Sequence, residues 1–118
     1  MDSRQMALFA AEKLDSKKAM DIAVINIGEK ASFADYFVLA TGGSMRQIET
    51  LVDEVHDRFD EEGVPVKRVE GKKSSGWILM DYGDVIVHVM QQEIREFYSI
   101  ERLLDNVGEV RAEDEENG

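Results

Sequence analysis

Several residues have types and spacings that chemistry could use. Gly42, Gly43 and Ser44 stand between an apolar run and an amphipathic one, where backbone N–H groups and a helix dipole could cradle a phosphate. The segment lacks a P-loop lysine and the third glycine of a dinucleotide fingerprint, and Gly and Ser also suit a strand-to-helix turn for geometry alone. Metal-dependent nucleotidyl transfer would need paired carboxylates, spaced Asp-x-Asp, on the strand after those glycines, yet residues 64–69 contain no acid. Asp81 and Asp84 are three apart across a turn that either can serve. His88, flanked by valines, could be a general base or a ligand, but His56 is the only other histidine and falls on the polar side of its helix. With no cysteine and no Gly-x-Ser-x-Gly elbow, no catalytic residue, cofactor or metal site is expected. Trp77, with Arg95 and Tyr98 beyond it, has the residue types of a binding hot spot; core packing is the alternative for each.

The element that must position these residues is a β-hairpin over 76–90, two apolar runs of strand composition broken at Tyr82, Gly83 and Asp84. A two-residue loop is either Tyr82 with Gly83 or Gly83 with Asp84. Trp77 then lies opposite His88 or Met90, and period-two alternation gives the same faces either way. One face carries Ile78, Met80, Tyr82, Val85, Val87 and Val89, suited to lie beneath helices. The other carries Trp77, Leu79, Asp81, Ile86, His88 and Met90. Indole, carboxylate, imidazole and thioether together suit a face that a partner covers, because each polar group would need a buried partner in a sealed core.

Upstream, Asp2 or Ser3 can cap a helix to about Ser16, and residues 20–28 read as a short strand. Residues 35–41 are apolar on both faces, as in a central strand. Ser44 and Gln47 have capping-box spacing and open a helix to about Glu62, with Met45, Ile48, Leu51, Val52, Val55 and Phe59 as its stripe. Residues 64–69 alternate as a strand, and Met20, Met45 and Met80 are assigned to the core. Two short helices follow the hairpin, the second over 100–107. The order α-β-β-α-β-β-β-α gives an α/β fold, a mixed β-sheet flanked by helices.

One domain over 1–108 and an acidic disordered tail over 109–118 account for the chain's 118 residues. The formal charge is −11, of which −4 belongs to the tail. An acidic domain lacks the basic footprint that nucleic acid needs and suits a basic protein partner. No signal peptide or membrane-length apolar run is present, so a cytoplasmic protein without a membrane partner is expected.

The run from Ala34 to Gly42, Gly76 with Trp77, Asp81 to Met90, Arg95, and Tyr98 to Leu103 resemble the ribosomal silencing factor (Iojap-like) family over about residues 4–104. The resemblance implies a nucleotidyltransferase-like fold without the catalytic carboxylates. It implies binding to the large ribosomal subunit through ribosomal protein uL14, steric obstruction of subunit joining, and translation damped when nutrients are short. Organelle relatives assist large-subunit assembly. The partner-binding residues carried over are Trp77, Asp81, Asp84, His88, Arg95 and Tyr98. Relatives often have Thr-Ser-Ser-Arg-His where this chain has Gly43, Ser44, Met45, Arg46 and Gln47, and a tryptophan where it has Leu104. An acidic homodimeric adaptor and a residual nucleotide-binding protein using residues 42–44 remain the alternatives.

Overall fold

The computed structural model describes residues 1–29, 31–99 and 109–110. In chain order the elements are α1 (Ser3–Ser16), β1 (Met20–Asn26), β2 (Tyr36–Gly42), α2 (Met45–Glu61), β3 (Arg68–Glu70), a 3₁₀ turn at Lys73–Ser75, β4 (Trp77–Asp81), β5 (Val85–Gln91), α3 (Gln92–Tyr98) and β6 (Glu109–Val110). The sheet runs β3-β4-β5-β2-β1-β6, antiparallel except where β2 lies parallel to β5. This is the expected α/β arrangement with a mixed sheet.

Local chemistry sets the helix ends. Asp2 caps α1 reciprocally: its carboxylate accepts from Gln5 N at 2.8 Å, and Gln5 Oε1 accepts from Asp2 N at 2.9 Å. At α2 only half of the anticipated box forms. Ser44 Oγ accepts from Gln47 N, but Gln47 Oε1 reaches back to Gly43 N at 2.6 Å instead of to the cap residue. Gly63, at φ +74°, ends α2: Val64 N donates to the Phe59 carbonyl and Gly63 N to that of Asp60, satisfying two of the last carbonyls.

The hairpin closes on Gly83 and Asp84, with Tyr82 N donating to Val85 O, so Trp77 pairs with Met90 and Leu79 with His88. Ile78, Met80, Tyr82, Val85, Val87 and Val89 all join the main core beneath α1 and α2. There Phe59 sits 5.0 Å from the Phe9 ring and 4.3 Å from that of Tyr82. Ala7 and Ala10 on α1 are fully buried, small enough to bring that helix close to the sheet.

Three expectations are corrected. Met20 and Met45 are exposed and of the three only Met80 belongs to the core, because Met20 is the first residue of β1 and Met45 the first of α2, before its stripe turns inward. The third strand is shorter than 64–69, starting only at Arg68, since Val64 is still tied to the end of α2. Glu109 and Val110, placed in a disordered tail by composition, pair with Ile25 and Val24 at the sheet edge. The anticipated helix over 100–107 lies outside the described residues.

Candidate functional site

Among the described residues, the second face of the sheet is roofed only in part, by α3 and by the segment that follows β1. Its apolar floor comprises Ala23, Ile25, Leu39, Ile86 and Met90, with Phe37, Trp77 and Leu79 half-buried at its margin. Across it runs a row of rings in contact. Phe33 and Phe37 are 6.2 Å apart, Phe37 and His88 4.6 Å, His88 and Trp77 5.9 Å, Trp77 and Tyr98 5.1 Å, and Tyr98 and Phe97 5.0 Å. The ends of the row reach solvent: Phe33 is 63% exposed, Tyr98 50% and Phe97 79%. Rings this exposed, linked through a buried centre, form an apolar surface that water solvates poorly.

His88 is the centre of the row and is 3% exposed. Trp77 Nε1 donates to His88 Nδ1 at 3.1 Å, which requires the neutral ring with its proton on Nε2. Burial penalises the imidazolium and pushes the pKa down to about 4, so the acceptor persists at neutral pH. The histidine thus fixes the indole plane. Its Nε2 is buried with no hydrogen-bond partner among the described residues.

The other predicted residues divide. Asp81 lies on this face, but its Oδ1 accepts from Gly83 N at 2.7 Å and its Oδ2 faces Arg68 Nη2 at 3.4 Å, so the carboxylate shapes the hairpin turn and still has an exposed side. Asp84 is exposed at the hairpin tip, and its carbonyl accepts from Asp35 N and Tyr36 N. Arg95 is turned inward and is 7% exposed; its guanidinium donates to Thr41 Oγ1 and to the Asp21 carbonyl. The structure therefore brings Trp77, His88 and Tyr98 together, leaves Asp81 and Asp84 toward the hairpin end, and removes Arg95 from the surface. Sequence reasoning missed Phe33, Phe37 and Phe97. Alternation along residues 35–41 groups Phe37 with Leu39 and Thr41, but only the parallel pairing of β2 with β5 sets which face they share and brings Phe37 to His88.

In the glycine-rich turn, two of the amides that a phosphate would use are already engaged. A Cβ at Gly42 would stand 2.9 Å from Ile48 Cγ1, so this glycine permits the close approach of β2 to α2. The Gly43 amide is taken by Gln47 and the Gln47 amide by Ser44. Among the described residues no three His, Asp or Glu side chains converge as a metal site would require, and no helix is long and apolar enough to cross a membrane. On the helix side a cleft of about 420 Å³ between α2 and the β3–β4 hairpin mixes Val52, Val69 and Ile78 with Asp53 and Lys72.

A family model described as "Ribosomal silencing factor during starvation" matches residues 1–117. The chain belongs to the ribosomal silencing factor family. It is 36% identical to the ribosomal silencing factor RsfS of Bacillus subtilis over 103 residues, 87% of each chain. It is 31% identical to a mouse protein named for mitochondrial assembly of the ribosomal large subunit, over 76% of this chain and 41% of that one. A crystal structure of a Chromobacterium violaceum protein superposes with a TM-score of 0.85 at 35% identity, covering 89% of this chain and 88% of the other. The fold described above is thus shared with the silencing factors.

Proposed function

We propose that the chain binds the large ribosomal subunit in the cytoplasm through ribosomal protein uL14, with the aromatic row as its docking surface, and blocks subunit joining by occupying space. The observation that carries this reading is the contact series Phe37–His88–Trp77–Tyr98, a preorganised aromatic patch in a protein of net charge −11. Aromatic anchors supply large area at low entropic cost, and the chain's net negative charge steers it toward basic ribosomal proteins. No chemical step is needed. A bound factor of this size on the intersubunit side excludes the small subunit sterically, and translation falls as free large subunits accumulate.

The test is sucrose-gradient co-sedimentation with purified subunits, comparing wild type, Trp77→Ala and Asp81→Lys, each first checked for folding by circular dichroism. Wild type should travel with the large subunit and deplete 70S particles, and both variants should do so less. Absence of wild type from the large-subunit fraction would remove the reading. The rival occupant of the same face is a second copy, since an exposed aromatic row is suited to pair with itself. Sedimentation velocity decides it: a dimer dispersed by Trp77→Ala, without subunit binding, would favour the adaptor.

A further inference from the structure

Arg95 carries a positive charge into the interior, where it does not reach the docking surface, and its partners show what it does instead. β1 is interrupted: Met20 pairs with Thr41 and Ala23 with Leu39, leaving Asp21 and Ile22 outside the ladder. This is a bulge, and Asp21 sits in it at φ +49°, a left-handed conformation that a Cβ makes costly. With Asp21 out of the ladder, its carbonyl accepts from Arg95 Nη1, which also donates to the buried hydroxyl of Thr41 at 3.0 Å. Arg95 belongs to α3, a helix of seven residues whose N-cap residue, Gln91, makes no side-chain capping bond and which ends on Ser99 at φ +47°. A helix this short does not hold itself together in water, so tertiary contacts must fix it. Among the described residues these include the Arg95 bonds, the packing of Ile94 on the sheet face, and the tilted ring contact of Tyr98 with Trp77.

We infer that Arg95 is a positioning residue: its guanidinium clasps α3 to the β1 bulge and to Thr41, and thereby holds Tyr98 and Phe97 in the geometry that a partner meets. Its consequence for binding rests on the proposed docking face; the clasp itself does not. Without Arg95, α3 loosens, and its side chains have to be ordered again at each binding event.

The test uses the full chain and its single tryptophan, Trp77, as the reporter. In Arg95→Met, and less strongly in Thr41→Val, acrylamide quenching of Trp77 should rise because Tyr98 no longer covers it. Val55→Ala, a destabilising change beneath the helices of the other face, should leave quenching at the wild-type level. Large-subunit affinity of Arg95→Met should fall roughly tenfold, the size expected for reordering a few side chains. Should Arg95→Met not fold, Thr41→Val carries the same test. Unchanged quenching in a folded Arg95→Met, or in Thr41→Val if that variant alone folds, would overturn the clasp. Normal subunit binding by Trp77→Ala would instead overturn the docking face and leave the quenching result to judge the clasp.

Discussion

His88 should make the protein acid-sensitive in a calculable way. The unfolded chain takes up this proton near pH 6.5, whereas burial lowers the folded pKa to about 4. Acid therefore favours the unfolded chain: the stability held by the neutral ring is complete above pH 6.5 and is lost as pH falls toward 4. At about 1.36 kcal/mol per unit, the full loss is roughly 3 kcal/mol, of which about 2 kcal/mol is gone between pH 7 and pH 5. At 3% exposure there is little water to screen the effect. The comparison is with His88→Gln, which does not titrate and retains an acceptor for the Trp77 indole. The remaining groups are common to both proteins, so their contributions to the difference cancel. Urea unfolding at pH 7 and pH 5, followed by far-ultraviolet circular dichroism, should show wild type losing about 2 kcal/mol more than the variant. A gap between the two that stays constant within about 0.5 kcal/mol, the usual scatter of additivity, would refute the reasoning.

Other substitutions probe the core and the loops. Phe59→Ala removes a fully buried ring packed on Phe9 and Tyr82 and should cost about 3–5 kcal/mol in urea unfolding. Tyr82→Phe deletes a buried hydroxyl that has no hydrogen-bond partner among the described residues and should be neutral or stabilising by up to about 1 kcal/mol, seen as an unchanged or higher urea midpoint. Gly71→Ala places a Cβ 2.2 Å from the Trp77 carbonyl oxygen at φ +93° and should lower stability by more than about 1 kcal/mol, a drop in melting temperature of several degrees. Phe97→Ala changes a ring that is 79% exposed, so its melting temperature should stay near wild type while subunit binding weakens.

Much of this architecture was legible in the sequence because it depends on local periodicity. The hairpin faces followed from alternation regardless of register, and the stripe of Ile48, Leu51, Val55 and Phe59 follows from a 3.6-residue period. What was not legible depends on partners distant in sequence. Arg95 looked like a surface hot-spot residue because nothing near it announces a bulge carbonyl at Asp21, 74 positions away. His88 looked available to a partner because its role as acceptor for Trp77 needs the closed hairpin. Phe37 joins the row only through the parallel β2–β5 pairing, whose register leaves no short-range mark. Gln47 was assigned to the cap by spacing, but Gly43 and the carbonyl of Lys18 compete for its amide, and they win.

The most direct test of the central claim places a photo-cross-linker on the aromatic row and lets the large subunit answer. With p-benzoylphenylalanine replacing Tyr98, irradiation of the purified subunit complex followed by mass spectrometry should recover a cross-link to ribosomal protein uL14. A cross-link to a different ribosomal protein, or subunit binding that persists with the row facing solvent and unlinked, would contradict the account.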